Sequence, residues 1–251
     1  MDNTMYVGLS KQILLQRELD IVANNLANVD TTGFKLEDLV TGTDPATPAM
    51  SIGVTQPVQF AIDNGVARDF TQGSMTPTGA VLDLAISGPG FFQVQTAAGP
   101  RYTRDGRFAT SASSQLITQS GDPVLDAAGS PISINPQGGP PVIGRDGTIT
   151  QTVAGQTGAQ VAGKVGVVTF ADLSALSKQG DGLYSLTTNQ PPQPAVSPMI
   201  QQGMLEGSNV QPIIQITDLI RINRAYEMIS QLLTSTADLS ATAIQQIASI
   251  Q

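Results

Sequence analysis

The hydrophobic and polar positions divide the chain into three zones, and the first zone predicts a long helix. From about Asn3 to Asn28 the chain contains no proline and one glycine, Gly8. Gly33 follows this segment closely and is typical of a helix C-terminus. The apolar residues recur at intervals of four and three, which places them on one stripe of a helix: Leu15, Leu19, Val22, Leu26 and Val29.

The last zone, from Pro212 to about Ser249, predicts a second and longer helix. It contains no glycine and no further proline, and Pro212 suits the first turn of a helix. A helix with an apolar seam needs a partner, so we expect the two terminal helices to pair. The seam follows a heptad repeat, but Thr, Ala and Gln occupy some of the positions that would be Leu in a stable coiled coil. Its residues are Ile222, Ala225, Ile229, Leu232, Thr236, Leu239, Ala243, Gln246 and Ile250.

The middle zone, residues 36–205, has the pattern of short strands separated by turns. Alternating or continuous apolar runs occur at residues 81–86, 91–94 and 165–170. The predicted fold class is therefore α+β: terminal helices paired in the manner of a coiled coil, and a central, mostly β domain. A glycine after Asn or Asp favours tight turns with positive φ, and such pairs occur at four places: Asn64-Gly65, Asp105-Gly106, Asp146-Gly147 and Asp181-Gly182.

This pattern predicts five consecutive segments. Within the second of them, residues 41–57 are rich in Thr, Pro and Gly and have little core of their own. The segments are an N-terminal helix of an inner assembly domain (1–35), a connector with short strands (36–75), a central β domain (76–190), a return connector (191–211) and the C-terminal helix of the inner assembly domain (212–251).

The charge content indicates a protein that functions through contacts with other subunits. Only 13% of the 251 residues are charged, and the formal net charge is −8. So sparse a charge is unusual for a freely soluble monomer, and it indicates that much of the surface meets other subunits. The net acidity, without a cluster of Lys or Arg, argues against a nucleic-acid partner and against binding to anionic membranes. No stretch approaches the ~18 apolar residues that a membrane span requires, so we expect no membrane insertion.

The residue types present leave little room for catalysis. The chain has no cysteine and no histidine, which removes thiol and imidazole nucleophiles, imidazole bases and the commonest zinc ligands. We therefore expect no catalytic residue, no metal and no cofactor. The sequence Gly88-Pro89-Gly90 could be read as a phosphate loop, but no lysine follows it and no helix opens there, so a strand kink is favoured.

Two charged groups are the remaining candidates for a chemical site. Asp172 and Asp181 lie near each other in sequence, as the carboxylates of a glycoside hydrolase would, but no tryptophan is present to line a sugar groove. Arg101, Arg104 and Arg107 surround Asp105-Gly106 in a predicted hairpin. A binding site is one interpretation of these arginines, and surface charges around a turn is the favoured one.

Several motifs resemble those of the rod and hook proteins of the bacterial flagellum, in the same order. Residues 23–35 (ANNLANVDTTGFK) resemble the segment that closes the N-terminal helix in that family. Residues 86–94 (ISGPGFFQV) resemble its I-x-G-x-G-F-F-x-V strand, and residues 102–108 (YTRDGRF) its Y-T-R-x-G-x-F hairpin. Residues 143–149 (IGRDGTI) resemble its later D-G turn.

The resemblance continues to the C-terminal helix. Residues 205–210 (LEGSNV) resemble the element before that helix, and residues 224–227 (RAYE) resemble part of a Q-R-A-Y-E element within it, with Asn223 where glutamine is commoner. The start of the chain, the short connector after Phe34 and residues 203–210 are most similar to proximal-rod proteins. A distal-rod or hook-type axial protein is the nearest alternative.

The resemblance implies both an architecture and a set of partners. In this family the terminal helices form an inner domain that lines an axial channel, the β domain lies outside it, and subunits stack into the drive shaft that crosses the periplasm. The implied partners are further copies of the chain, other proximal and distal rod subunits, and the flagellar type III export apparatus. Export without a cleaved signal peptide is expected, because the first residues show no basic region, apolar region or cleavage site.

The candidate functional residues are those of an assembly interface on the two terminal helices. We expect Asn24 and Asn25 to face neighbours, since a neutral amide costs less to bury than an ion, and Asn28 to form the turn. A secreted β module that binds or cleaves cell-wall sugars, with helices that only dimerise it, is the remote alternative. The predicted interface comprises Leu15, Leu19, Val22, Asn24, Asn25, Leu26, Asn28, Ile222, Ala225, Tyr226, Ile229, Leu232 and Leu239.

Overall fold

Two long helices stand near the ends of the chain. The structure, a computed structural model, describes residues 2–43, 60–153, 155, 158–188 and 190–248. Helix α1 spans Asp2–Ala27 and helix α2 spans Pro212–Ala248. Both helices predicted from the apolar stripes are confirmed. The predicted connector at 41–57 lies outside the described residues from 44 onward, as do Ile250 and the side chain of Ala243.

The described residues between the helices form short strands. Most of these strands are only two to six residues long, as the frequent turn signals predict. In chain order they are β1 (Glu37–Thr43), β2 (Ala61–Arg68), β3 (Met75–Pro77), β4 (Leu84–Ile86), β5 (Phe91–Thr96), β6 (Gly99–Thr103), β7 (Ala109–Thr110), β8 (Leu116–Ile117), β9 (Val142–Ile143), β10 (Thr148–Thr152), β11 (Ala159–Lys164), β12 (Val167–Thr169), β13 (Leu176–Lys178), β14 (Leu183–Leu186), β15 (Gln193–Pro194), β16 (Ile200–Gln202) and β17 (Met204–Glu206).

The chain divides into two compact units. The first consists of Met1–Ala27, Glu37–Asp69 and Gln211–Gln251, and so contains both helices and the β1–β2 hairpin. The second consists of Asn28–Leu36 and Phe70–Val210 and contains β3 to β17. The chain thus passes between the units four times, because the hairpin clusters with the helices although it lies between two segments of the second unit.

The β1–β2 hairpin of the first unit contains an irregularity where the sequence predicts a turn. The two strands are antiparallel, and their register shifts so that Val40 faces both Asn64 and Gly65. Gly65 has φ +104, a backbone conformation that suits the extra residue of a bulge. The prediction of a tight turn at Asn64-Gly65 is therefore wrong, because the glycine serves a bulge inside β2.

The second unit is built on antiparallel sheets. Its largest sheet has six strands in the order β13-β14-β6-β5-β12-β15, and a three-stranded sheet has the order β11-β10-β9. Three two-stranded pairs, β16-β4, β17-β3 and β7-β8, complete the described sheets. The pairs β17-β3 and β16-β4 join strands more than a hundred residues apart in sequence. The last strands of the unit therefore return to its first ones.

Two apolar clusters fill the second unit. A large aliphatic cluster includes Leu84, Ile86, Phe92, Leu116 and Ile149, all with fully buried side chains. A smaller aromatic cluster packs its rings edge to face, with centroids 4.8 to 5.9 Å apart. Its rings are Phe70, Phe91, Tyr102, Phe170 and Tyr184.

The Gly88-Pro89-Gly90 segment is a kink between β4 and β5. Gly88 and Gly90 have φ +97 and +142, and no helix begins there. Directly after the kink, Phe91 enters the aromatic cluster and Phe92 the aliphatic one, so neighbouring rings serve opposite faces of β5. The interpretation as a strand kink is confirmed.

The turn signals of the second unit have different outcomes. Asp146-Gly147 lies between β9 and β10, and Asp181-Gly182 lies between β13 and β14, both with positive φ at glycine as predicted. Asp105-Gly106 is not a hairpin turn, because the β5–β6 hairpin turns before Gly99. Instead, the segment leaves β6 in a bend and the Gly106 carbonyl accepts a hydrogen bond from the amide of Leu84, at 3.0 Å.

Candidate assembly site

The predicted apolar seams of α1 and α2 meet in the first unit. The helices are antiparallel, since Asn25 bonds to Gln215 near one end and Gly8 lies against Leu233 near the other. A side chain on Gly8 would come within 2.7 Å of Leu233, so the glycine allows close approach of the helices. The shared core consists of buried Leu15, Val22 and Ile222 with partly buried Leu19, Leu219, Ala225, Tyr226 and Ile229 around them.

Asn25 lies inside the first unit. Its side chain is 1% exposed, and its Nδ2 donates to the Glu37 carbonyl at 2.8 Å and to Gln215 Oε1 at 3.1 Å. Its Oδ1 accepts from the Glu37 amide at 3.0 Å. The amide thus joins α1, β1 and α2 within one chain, where sequence analysis placed it toward a neighbour.

The other predicted residues near the end of α1 have different surroundings. Asn24 is exposed and Leu26 is half-buried. Asn28 forms the turn after the helix: its carbonyl accepts from the Thr31 amide, and its Oδ1 accepts from the Thr31 hydroxyl, both at 3.1 Å. The structure therefore places Asn28 in the turn for which it was predicted.

The C-terminal part of the apolar seam of α2 is exposed. Leu232 is 50% exposed and Leu239 is 68% exposed, although the heptad rhythm places them in line with buried Ile222. Large apolar side chains on both helices are also exposed, and so the helix pair buries only part of its apolar surface. These exposed residues are Met5, Tyr6, Leu9, Ile13, Ile213, Ile214, Ile216, Ile220 and Met228.

A buried charge cluster in the second unit was not predicted. We use this name for Lys35, Arg104 and Glu206, whose side chains are 0%, 3% and 0% exposed. Glu206 Oε1 accepts from Lys35 Nζ at 2.5 Å and from the amide of Gly73 at 3.1 Å, and Oε2 accepts from Arg104 Nη1 at 3.0 Å. Both carboxylate oxygens are thus engaged, which a buried carboxylate requires.

The two cations of this cluster also bind backbone carbonyls. Lys35 Nζ donates to the Thr71 carbonyl at 2.7 Å, and Arg104 Nη2 donates to the Gly88 carbonyl at 3.0 Å. The Arg104 guanidinium lies 5.1 Å from the ring centroid of Phe91, while its buried Nε has no hydrogen-bond partner. Burial lowers the pKa of Arg104, and the charge of Glu206 acts against that shift.

The cluster brings residues of four of the sequence motifs into contact. Lys35 ends the segment 23–35, Arg104 lies in 102–108, Glu206 lies in 205–210, and Gly88 belongs to 86–94. A sequence signal existed, since the segments 23–35, 102–108 and 205–210 all carry charged residues in an otherwise weakly charged chain. The sequence could not show which of these charges would form ion pairs, because Lys35, Arg104 and Glu206 lie 69 or more positions apart.

Gly33 is required where the segment 23–35 packs against the segment 102–108. It has φ +69, and a Cβ there would lie 2.6 Å from the backbone of Arg104 and Asp105. Its amide donates to the Glu206 carbonyl at 2.8 Å. Gly33 is thus a packing position of the second unit as well as a terminator of α1.

The other charged candidates have structural roles. Arg107 forms an exposed pair with Asp105, at 2.7 Å, as expected of charges near a turn, but the same expectation is wrong for buried Arg104. Asp172 accepts from the Ser174 amide and hydroxyl at 2.9 and 2.7 Å, which lowers the pKa of Asp172.

In the described part of the chain, no group of three carboxylates is placed to hold a metal ion. Neither α1 nor α2, over their described residues, has an apolar stretch that could span a bilayer.

Three family models match separate parts of the chain. A model described as flagella basal body rod protein matches residues 5–35. A model of the D1 domain of the flagellar hook protein FlgE/F/G matches residues 85–151. A model of the C-terminal part of the flagellar basal body rod FlgEFG protein matches residues 201–246. The matched ranges contain most of α1, the kink between β4 and β5, and most of α2.

Full-length relatives carry the same description. The chain is 53% identical over 250 residues to the flagellar basal-body rod protein FlgF of Caulobacter vibrioides, with both chains covered completely. It is 36% identical to FlgF of Mesorhizobium japonicum, with 99% of each chain covered. It is 35% identical to the rod protein FlgG of Buchnera aphidicola subsp. Schizaphis graminum, with 89% of this chain and 90% of that protein covered. The resemblance read from the motifs is therefore confirmed, and the chain belongs to the family of flagellar basal-body rod proteins.

Proposed function

We propose that this protein is a structural subunit of the proximal rod of the flagellar basal body and that the paired helices α1 and α2 are its assembly element. The family consists of structural rod proteins, so the chain is not an enzyme. Identity is higher to FlgF of Caulobacter vibrioides, at 53%, than to FlgG proteins, at 35% or less, which favours the proximal over the distal rod.

The observation that carries the assembly role is the apolar surface of the helix pair. Ile213 is 80% exposed, Met228 and Leu239 are each 68% exposed, and Ile13 is 61% exposed. Exposed apolar side chains in this number on one helix pair are typical of an interaction surface, since covering them would release about 25 cal/mol per Å². Packing against neighbouring subunits would bury these side chains.

The proposal extends to organisation and location. The helix segments 1–35 and 212–251 act as a coiled-coil-like inner assembly domain, residues 76–190 form a central β domain, and 36–75 and 191–211 are connectors. The partners are further copies of the chain and other proximal and distal rod subunits. The chain reaches the periplasmic rod through the flagellar type III export apparatus.

Deletion of the gene, followed by electron microscopy of isolated basal bodies, tests this function. We expect a truncated rod without a hook and loss of swimming, both restored by the wild-type gene. The position of the truncation separates a proximal from a distal rod subunit. Complete basal bodies in the deletion strain would refute the structural role.

A further inference from the structure

The outer face of α1 carries an apolar stripe, which we call the α1 stripe and define as Tyr6, Leu9 and Ile13. These side chains are 62%, 48% and 61% exposed. Ile13 lies about 160° around the helix from Leu15, a member of the core shared with α2, so the α1 stripe faces away from α2. Asp20 continues the line seven residues after Ile13, is exposed and forms no ion pair among the described residues.

A second exposed stripe runs along α2. We call it the α2 stripe and define it as Met228, Leu232 and Leu239, whose intervals of four and seven residues place them on one side of the helix. Met228 also lines an open groove between the two helices, together with Lys11 and Arg224. In the part of the chain that the structure describes, neither cation forms an ion pair. The N-terminal end of the α2 stripe is therefore basic.

The two stripes have the same spacing. On α1, Tyr6, Ile13 and Asp20 recur every seven residues, and on α2, Leu232 and Leu239 are also seven residues apart. We consider an α1 helix that lies antiparallel on α2 with Ile13 opposite Leu232. In this register Tyr6 lies opposite Leu239, and Asp20 lies at the basic end of the α2 stripe. One register thus brings together two apolar pairs and one pair of opposite charges.

The α1 helix of the same chain does not occupy this register. Within one chain, Asn25 bonds to Gln215 and Gly8 lies against Leu233. These contacts place Ile13 four to five residues short of the level that the register requires, and the α1 stripe faces away from its own α2. An α1 helix from a second copy, shifted by about 7 Å along the helix axis, would satisfy the register.

We propose that the α1 stripe of one copy packs antiparallel on the α2 stripe of a second copy, with Ile13 opposite Leu232 and Asp20 beside Arg224 and Lys11. This inference rests on the proposed assembly function and names one of its contacts. The second copy is favoured as the occupant because its α1 supplies both the apolar spacing and the negative charge that the α2 stripe requires.

This contact has a defined symmetry. The two stripes are different surfaces of one chain, so the contact is heterologous, and every pair of copies leaves one stripe of each kind available to further copies. Both copies point the same way, because α1 and α2 are antiparallel within each copy as well as between copies. Since neighbours are also displaced by about 7 Å along the helix axis, repetition produces an open helical assembly instead of a closed ring.

Engineered cysteines test the register directly, because the chain has no cysteine of its own. Ile13→Cys and Leu232→Cys are introduced together, and intact basal bodies are isolated and oxidised. Within one copy these positions do not reach the ~7 Å Cα separation that a disulfide requires, because position 13 is on the side of α1 that faces away from α2. We expect dimers and higher multimers of the chain on a non-reducing gel.

The matched control is Ile13→Cys with Leu239→Cys. Leu239 belongs to the same α2 stripe but lies about 10 Å farther along the helix, so we expect this variant to stay monomeric. A normally incorporated test variant that forms no multimers, or that crosslinks no more than the control, would overturn the inference while leaving the proposed function intact. Absence of the wild-type chain from basal bodies would refute the proposed function itself.

A charge exchange provides a second test if the cysteine pair prevents incorporation. Asp20→Lys and Arg224→Asp should each lower the amount of subunit in basal bodies several-fold, because each places like charges together. Both positions are exposed, so neither change should reduce the helix content of the monomer. The double variant should recover most of the wild-type amount. A double variant no better than the worse of its parents, or parents that incorporate normally, would contradict the contact.

Discussion

At the scale of single residues, Glu206 has surroundings that few carboxylates share. It is fully buried, and it accepts hydrogen bonds from Lys35, Arg104 and the amide of Gly73. Two basic side chains, Lys35 and Arg104, face this one carboxylate. Burial of these ions has a large desolvation cost, which is offset by the ion pairs and hydrogen bonds between them. Loss of one partner exposes the full desolvation cost of the others.

Replacement of Glu206 by glutamine should therefore destabilise the second unit strongly. We expect Glu206→Gln to lower the free energy of unfolding by about 3–5 kcal/mol, because Lys35 and Arg104 would remain buried without a counter-charge. Urea unfolding monitored by near-UV circular dichroism measures the change. Arg107→Ala, which breaks the exposed pair with Asp105, is the matched control and should cost at most about 1 kcal/mol. Equal effects of the two changes would contradict the role given to the cluster.

At the scale of elements, β1 brings a carboxylate into an acidic environment. Burial raises the pKa of Asp38, and the charges of Asp69 and Asp218 raise it further. A raised pKa means that the folded chain binds this proton more tightly than the unfolded chain. Asp38 thus contributes stability below its unfolded value of 3.8, and that contribution is lost as the pH rises through the folded pKa.

Asp38→Asn should accordingly stabilise the first unit at pH 7. The neutral amide removes the cost of holding a negative charge among other carboxylates, and the gain should vanish as the pH falls below 3.8. Thermal unfolding of the full chain at several pH values tests this prediction. Asp172→Asn is the control, because its pKa is lowered and its substitution should remove stability at pH 7. A destabilised Asp38→Asn chain at pH 7 would contradict the assignment.

The open seam of α2 predicts a separation of folding from assembly. Leu232 is 50% exposed, so Leu232→Asp should leave the monomer folded, whereas a packed interface between subunits would not accept the charge. We expect normal helix content by circular dichroism and loss of the chain from basal bodies. Leu232→Met, which keeps the apolar character, should retain incorporation. Normal incorporation of the aspartate variant would remove Leu232 from the interface.

At the scale of the whole molecule, each unit has its own core. The aliphatic cluster, the aromatic cluster and the buried charge cluster all belong to the second unit. The first unit relies on the helix pair and its hairpin. Stability of the second unit should therefore not require the helices.

A fragment of residues 28–210 tests this independence. We expect cooperative unfolding with a near-UV signal from its tyrosines, because the aromatic cluster and its antiparallel sheet are retained. The fragment keeps Tyr102 and Tyr184 and loses Tyr6 and Tyr226, so the tyrosine signal reports the cluster alone. The same fragment should be absent from basal bodies. Loss of the tyrosine signal would show that the second unit depends on the first.

The sequence determined those features that depend on local periodicity and on composition. Apolar residues that recur every three or four positions located α1 and α2. The glycines at 147 and 182 marked turns, whose conformation depends only on nearby residues. Absence of cysteine and histidine excluded thiol and imidazole chemistry, and motif order identified the family, because these signals require no knowledge of distant contacts.

Only the tertiary structure decided which distant residues meet. Asn64-Gly65 carries a turn signal, yet pairing with β1 makes it part of a bulge. Arg104 was expected on the surface, but Glu206 and Lys35 reach it from positions 102 and 69 residues away and make its burial tolerable. Asn25 was expected to face a neighbour, but Gln215 and Glu37 satisfy its amide. A buried polar group depends on its partners, and in each case those partners are brought to it by tertiary contacts between individual residues that no local pattern encodes.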